Sequence, residues 1–240
     1  MLELLLREPL AGRRVVDVGA GEGYFSQLVG EQIAQQVGAP VPEILSACDL
    51  YPENFRYAGV RCQRIDASDA LPYADASIDA ACAVEVVEHL ENQFRFVREL
   101  YRILKPGGRA IVSTPNLLNM NSRLRFLHSG FWLLFNPLPL ERADPVHTAG
   151  HIHPITPYYL MYAFYRAGFR RVEVHADRTK RSAALWTFLL APILFPAHWL
   201  ARARFRGKQP AVAAENAPIL DALMSWPMLT SRSAIIEARK

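Results

Sequence analysis

The sequence has few cysteines, and none of them is placed for cross-linking. Its three cysteines, Cys48, Cys62 and Cys82, form no C-x-x-C pair, which excludes a disulfide framework and a thiolate zinc site. Glycine and proline, with 13 and 17 residues, are too scarce for a collagen-like or low-complexity chain. No basic segment precedes the apolar residues at the N-terminus, unlike in a secretory signal peptide. We therefore predict a reduced, cytoplasmic protein.

Charged residues are also limited in number, and they are unevenly distributed. They make up 21% of the 240 residues, against 51% hydrophobic residues, which is typical of a globular protein with a large core. The length fits one domain, residues 1–240, with insertions. Residues 1–165 contain 14 Lys/Arg against 18 Asp/Glu, whereas residues 166–208 contain 10 against 2. The basic segment indicates either an anionic partner or a solvated face.

Apolar segments predicted as strands alternate with predicted helices along most of the chain. Helices are expected from residue 24 to about 37, over 90–104 and over 157–168. This alternation implies an α/β fold, with a doubly wound, mostly parallel sheet covered on both faces. Residues 116–155 and 177–230 interrupt the pattern, and we predict a substrate-cap insertion and a hydrophobic, basic insertion before the last strand. The predicted strands cover residues 14–18, 43–48, 60–65, 78–84, 109–114, 169–174 and 233–238.

A glycine-rich loop follows the first predicted strand and precedes the first long helix. Its sequence is Gly19-Ala20-Gly21-Glu22-Gly23. Glycines at such a turn let backbone N–H groups approach a ligand beside the helix N-terminus. The dinucleotide pattern G-x-G-x-x-G fails because residue 24 is tyrosine, and the P-loop pattern G-K-S/T is absent. The loop therefore predicts a different ligand.

Three acidic residues lie at the ends of the first three predicted strands: Asp17 before the glycines, Asp49, and Asp66 followed by Ala67. With this D-x-G-x-G loop, the chain resembles the class I S-adenosylmethionine-dependent methyltransferases, closely over residues 14–114 and loosely over 156–175 and 232–240. The resemblance implies a seven-stranded Rossmann-like fold and S-adenosyl-L-methionine as cofactor. The carboxylate of Asp49 suits the two ribose hydroxyls, and Asp66 with Ala67 suits the adenine edge. The cofactor-binding residues implied are Asp17, Gly19, Ala20, Gly21, Asp49, Leu50, Asp66, Ala67 and Val84.

The string Glu85-x-x-Glu88-His89 follows the fourth predicted strand. Similar strings, and a Thr-Pro-Asn sequence like that at residues 114–116, occur in ubiquinone-pathway O-methyltransferases, the group this chain most resembles, and in small-RNA 2′-O-methyltransferases. The resemblance implies that a divalent ion could sit here. We expect Glu85 and Glu88, or Glu85 and His89, on one helical face, with a fourth ligand from His147, His151 or His153, of which His151 is preferred.

The same three residues also suit a hydrogen-bond network across the cofactor pocket, so the sequence alone assigns no metal ligand. We assign His89 as the catalytic base, because a histidine pKa near 6.5 suits removal of a hydroxyl proton. The predicted reaction is methyl transfer to an oxygen of a small apolar, lipid-linked or saccharide acceptor bound under residues 116–155. Alternatives are a non-catalytic cofactor-binding module and an RNA 2′-O-methyltransferase. The acidic character of residues 1–165 disfavours nucleic acid.

Residues 182–201 form a run of 20 residues without a formal charge, and basic residues flank the run on both sides. Twenty helical residues reach about 30 Å, enough to span a bilayer. Pro192 and Pro196 favour instead a kinked element in the membrane interface, where Trp186, His198 and Trp199 suit the headgroup region. A buried helical hairpin and a dimer interface are the alternatives. We predict a cytoplasmic protein attached peripherally to the inner membrane face.

Overall fold

The computed structural model describes residues 1–65, 70–141 and 150–240. Its sheet has seven strands in the order β3-β2-β1-β4-β5-β7-β6. The last strand, β7, runs antiparallel to β5 and β6, and the other pairs are parallel. The predicted doubly wound, mostly parallel sheet is therefore confirmed. The strands are β1 (Val15–Val18), β2 (Leu45–Asp49), β3 (Cys62–Arg64), β4 (Ile78–Val84), β5 (Leu104–Pro115), β6 (Arg171–Ala176) and β7 (Ser233–Arg239).

Helices cover both faces of the sheet. One core cluster joins α4 and α6 to the sheet, through residues such as Leu100 and Phe164. A second cluster, on the opposite face, joins α1 and α2 through Leu5 and Ile33. The helices in the described residues are α1 (Leu2–Leu5), α2 (Tyr24–Gln36), α3 (Val41–Ile44), α4 (Gln93–Ile103), α5 (Met120–Ser129), α6 (Pro157–Ala167), α7 (Arg181–Lys208), α8 (Pro210–Glu215), α9 (Ala217–Leu223) and α10 (Trp226–Thr230).

Local sequence signals set several of these boundaries. Thr156 caps α6 by accepting a hydrogen bond from the Tyr159 backbone N–H, and Gly168 ends the helix in a left-handed conformation with φ of 110°. Both ends were predicted. The segment 43–48, predicted as a strand, begins instead with the last residues of α3. Strand β5 starts at Leu104, through the Pro-Gly-Gly segment, because Gly107 and Gly108 hydrogen-bond to the backbone of Lys240.

The two insertions contain helices. Within residues 116–155, the described part holds α5 and an irregular segment after it, and residues 177–230 hold α7 to α10. Helix α7 continues through Pro192 and Pro196 rather than breaking at them. Both prolines are exposed. Pro192 has no backbone N–H to donate to the carbonyl of Phe188, and Phe188 is itself 73% exposed. Solvation of this exposed side lowers the penalty that a proline imposes on a helix interior.

Candidate active site at the carboxyl ends of β1, β2 and β4

The glycine loop is held against β2 and β4 at the carboxyl edge of the sheet. The backbone N–H groups of Gly19 and Ala20 both donate to the carbonyl of Cys48, at 2.8 and 3.2 Å. Gly19 has φ of +68°, and a Cβ atom there would lie 2.5 Å from Cγ2 of Val86. Gly21 has φ of +53°, but a Cβ atom there would meet open space. Packing therefore requires glycine at position 19, and the backbone conformation favours it at position 21.

Asp49 holds the loop from the end of β2. One carboxylate oxygen accepts from the Gly21 backbone N–H at 2.8 Å, and the other accepts from the Tyr51 N–H at 2.8 Å. Each oxygen keeps a further lone pair, so the contacts leave capacity for two ribose hydroxyls. Leu50 follows directly, and Val84 ends β4 on the other side of β1. The predicted residues Asp66 and Ala67 lie outside the described residues.

Asp49→Ala is expected to weaken binding of S-adenosylhomocysteine roughly tenfold to a hundredfold. The carboxylate would no longer accept the ribose hydroxyls, at about 1.5–3 kcal/mol for hydrogen bonds to a charged group, and the Gly21 N–H would lose its acceptor. Isothermal titration calorimetry measures the change. The control is Glu22→Ala, which removes an exposed acid from the same loop and should leave the affinity unchanged. Equal affinity of folded Asp49→Ala and wild type would contradict the assignment.

Asp17 lies beneath the loop and is almost completely buried. Its Oδ2 atom accepts a hydrogen bond from Oγ of Ser26 at 2.7 Å, whereas its enclosed Oδ1 atom has no partner within the described residues. Burial, and to a smaller extent the charge of Asp49, raises the pKa of Asp17 to about 6. A carboxylate in this position is costly unless a cation or a hydrogen-bond donor joins it.

The segment after β4 turns sharply instead of continuing as an α-helix. Glu85 has a positive φ of 53°, which is uncommon for a residue with a side chain, and residues Val87–His89 form a 3-10 turn. Ser113 of β5 fixes Glu85, because its Oγ accepts from the Glu85 N–H at 3.1 Å and donates to the carboxylate at 3.2 Å. The prediction that Glu85 shares a helical face with Glu88 or with His89 is therefore wrong. The role of Ser113 had no signal in the sequence.

Glu88, His89 and His151 come together at this turn. One ligand atom from each side chain lies within 4.8 Å of the others, and the two imidazole rings are 4.8 Å apart at their centroids. Oε2 of Glu88 accepts from Oγ1 of Thr114 at 3.1 Å. The other carboxylate oxygen of Glu88 and the Nδ1 atoms of both histidines are enclosed, without a hydrogen-bond partner in the described part of the chain. We call these three residues the Glu-His-His cluster.

The other residues predicted around this cluster have different positions. The backbone N–H of His153 donates to the Glu88 carbonyl at 3.0 Å, which fastens residues 150–155 over the turn, and His147 lies outside the described residues. Asn116 donates to the Met228 carbonyl and to Ser231, so it anchors α10. Phe135, whose ring centroid is 5.2 Å from that of His151, is buried. It supplies an apolar wall that the sequence did not single out.

The charge states of the cluster follow from its burial. Burial, followed by the nearby charge of Glu85, raises the pKa of Glu88 to about 8. Burial lowers the pKa of His89, and burial together with the charge of His89 lowers that of His151. At pH 7 both imidazoles are therefore mostly neutral, and the Glu88 carboxyl group mostly keeps its proton. A neutral imidazole can accept a proton, and two imidazoles with a carboxyl group that releases its proton on binding are a ligand set for divalent transition metals.

Comparison with known proteins identifies the class of domain. Residues 16–112 match the family model described as a methyltransferase domain. A probable S-adenosylmethionine-dependent methyltransferase of Mycolicibacterium smegmatis is 35% identical over 115 residues, 46% of this chain and 41% of that protein. A ubiquinone biosynthesis O-methyltransferase of Xylella fastidiosa is 36% identical over 112 residues, 46% of this chain and 45% of that protein. This chain thus spans less than half the length of these relatives.

The fold likeness extends further than the sequence likeness. A crystal structure of an S-adenosylmethionine-dependent methyltransferase from Archaeoglobus fulgidus superposes with a TM-score of 0.60, covering 100% of this chain and 91% of that chain at 18% identity. These matches confirm the predicted fold, and the names of the relatives agree with the predicted family and cofactor. Residues 16–112 therefore resemble the methyltransferase domain of proteins named as S-adenosylmethionine-dependent methyltransferases.

Proposed function

We propose that the chain transfers the methyl group of S-adenosyl-L-methionine to an oxygen of a small apolar, lipid-linked or saccharide acceptor. The acceptor oxygen attacks the methyl carbon, the carbon–sulfur bond breaks, and S-adenosylhomocysteine leaves. The Glu-His-His cluster carries the proposal, because it holds three enclosed polar atoms without partners among the described residues, beside the turn that packs against Gly19 of the glycine loop. The match to a ubiquinone biosynthesis O-methyltransferase supports oxygen as the nucleophile.

In this mechanism the protein acts mainly by positioning. The sulfonium is already activated, so the largest contribution comes from aligning the acceptor oxygen with the methyl carbon. Asp49 and the glycine loop hold the methyl donor, S-adenosyl-L-methionine, and the neutral imidazole of His89 takes the proton of the acceptor hydroxyl. The donor set of the cluster also fits a divalent cation, which Glu88, His89 and His151 would hold and which would polarise the hydroxyl.

The surroundings of the cluster favour an apolar acceptor over RNA. Phe135 of the cap insertion is buried, and its ring lies beside that of His151. An RNA substrate would require basic side chains for its phosphates, whereas residues 1–165 carry an excess of acids. A non-catalytic role is disfavoured because Asp17, Gly19, Gly21 and Asp49 are all present and meet at the carboxyl edge of the sheet.

Helix α7 supports a location at a membrane surface. It is long and apolar enough to cross a membrane by length and composition, yet only 11% of its most apolar window is buried inside the protein. Its inner side, including Ala183 and Thr187, is buried, and the helix packs against α5, α8 and α10. Its exposed side carries Leu185, Trp186, Phe188, Leu189, Ile193, Phe195, Trp199 and Leu200.

A helix with one face packed on its own domain and an apolar outer face suits the plane of a membrane interface rather than a span. Basic residues at both ends of α7 suit anionic headgroups, at about 1 kcal/mol for each residue near the surface. In this proposal the protein is cytoplasmic and attaches peripherally to the inner membrane face. Attachment would place the active site close to a lipid-soluble acceptor.

The intact protein is expected to float with liposomes that contain anionic phospholipid. The triple substitution Phe188→Glu, Ile193→Glu and Trp199→Glu should abolish flotation, because these side chains are 73%, 73% and 72% exposed and would carry three negative charges into the interface. Density-gradient flotation measures the effect. Tyr159→Glu, at an exposed aromatic residue of α6, is the matched control and should still float. Equal flotation of the triple variant and wild type would show that α7 is not the attachment surface.

A further inference from the structure

Arg123 on α5 is a largely buried cation that the proposed reaction does not use. Its Nε atom donates to the carbonyl of Leu118 at 2.8 Å, and its Nη2 atom lies 3.7 Å from Sδ of Met224 at the end of α9. Both partners are neutral. Within residues 1–65, 70–141 and 150–240, no carboxylate pairs with Arg123. Part of the side chain remains accessible from outside.

Other enclosed arginines of the chain have acidic partners. Arg109 lies 3.3 Å from the carboxylate of Glu237, and Arg102 lies 2.7 Å from that of Glu99. Arginine stays protonated in proteins, so burying its charge without a counter-charge is unfavourable. Burial is also the cause that lowers the pKa of Arg123. A negatively charged ligand would supply the counter-charge that the Arg123 guanidinium lacks.

The neighbourhood of Arg123 is basic on one side and apolar on the other. His198 lies one helical turn after Leu194, a residue of α7 in the apolar cluster against α5, and the charges of Arg202 and Arg123 lower its pKa, after burial, which contributes most. Arg202 already has an acidic partner, Asp221 of α9. Around this point α5 and α7 pack through an apolar cluster made by Leu124, Leu190, Leu194 and Met224. The seam between α5, α7 and α9 therefore offers one unbalanced positive charge beside a histidine.

We propose that Arg123 and His198 form a subsite for a phosphate group in the seam between α5, α7 and α9. A planar guanidinium offers paired N–H donors that match phosphate oxygens, and a neutral histidine adds one donor. We infer that the phosphate belongs to a lipid, because the seam lies along α7, whose outer face is apolar. The lipid source rests on the proposed membrane attachment, whereas the phosphate subsite does not depend on it.

The seam also connects to the active site through α5. Asn121, two residues before Arg123, donates to Oγ of Ser182 at the start of α7, and α5 begins six residues after Thr114, which contacts Glu88. A phosphate held at Arg123 would thus lie on the helix that follows the catalytic edge of the sheet. This arrangement fits an acceptor, or a neighbouring lipid, whose phosphate is bound while another part reaches the Glu-His-His cluster.

Thermal unfolding of the full chain with three soluble probes tests the subsite without any methyl-transfer assay. The probes are dihexanoyl phosphatidic acid below its micellar concentration, inorganic phosphate, and dihexanoylglycerol, which lacks the phosphate. Phosphatidic acid at about one hundred times its Kd should raise the Tm by roughly 5–10 °C. Dihexanoylglycerol should give no such rise. An equal rise with inorganic phosphate would support the subsite and contradict the lipid source.

Arg123→Met separates a ligand site from a structural arginine. We expect this variant to lose the phosphatidic acid shift and to unfold about 2–4 °C higher than wild type without ligand, because an unbalanced buried charge is removed. Arg125→Met, on the same helix, removes an arginine that donates to Asn136 and should keep the shift. A lower ligand-free Tm for Arg123→Met with an intact shift would overturn the subsite, as would equal shifts with dihexanoylglycerol and phosphatidic acid.

Discussion

Replacing His89 by alanine is expected to lower the turnover number by about 10²–10⁴, the usual contribution of a positioned general base. His89 lies on the turn after β4, where its enclosed Nδ1 atom has no partner in the described residues and its ring meets that of His151. Without this imidazole, the acceptor hydroxyl would lose the base that takes its proton. Single-turnover measurements with labelled donor, on a cell fraction that accepts the methyl group, determine the rate.

The donor site provides the control for this substitution. S-adenosylhomocysteine should bind His89→Ala as tightly as wild type, since the predicted donor contacts come from the glycine loop and Asp49. His153→Ala is the matched variant, because His153 is bound to the turn through its backbone N–H, and it should retain turnover. Unchanged turnover of His89→Ala would remove His89 from catalysis. Full turnover of wild type after exhaustive chelation would show that the cluster works without a bound metal ion.

Local sequence patterns were sufficient to predict the sheet and the glycine loop. The β1, loop and α2 unit depends on residues adjacent in sequence, and the spacing of Asp17, Gly19 and Gly21 places the loop at the edge where ligands of parallel sheets bind. Thr156 and Gly168 likewise set the ends of α6 through contacts within a few residues. Features of this kind are visible in sequence because the interacting groups lie close together along the chain.

Long-range contacts explain most of the errors and omissions. Glu85 was predicted on a helix with Glu88, but Ser113, 28 residues away, holds it in a turn. Phe135 approaches His151 because the cap insertion folds back over the sheet edge. The exposure of α7 also depends on which of its faces packs against α5, and a run of uncharged residues carries no information about that choice. Tertiary packing decides these points.

The second large effect concerns Asp17, whose substitution by asparagine should stabilise the protein at neutral pH. Burial raises the folded-state pKa of Asp17 from 3.8 to about 6, so between these pH values the folded state holds a proton that the unfolded state has lost. Stability therefore falls as pH rises through this window, by about 3 kcal/mol at completion. Asparagine stays neutral, and its carbonyl can still accept from Ser26.

The free energy of unfolding, measured with urea at pH 4 and pH 7, should show Asp17→Asn gaining up to about 3 kcal/mol on wild type between the two pH values. Glu31→Gln, at an exposed acid of α2, is the control. We also expect Asp17→Asn to bind S-adenosylhomocysteine more weakly at pH 7, because an ionised carboxylate at this position would attract the ammonium group of that ligand. A pH-independent stability difference would contradict the buried-charge argument, and unchanged affinity would remove Asp17 from the cofactor site. Both results as expected would explain why a carboxylate that destabilises the fold occupies this position.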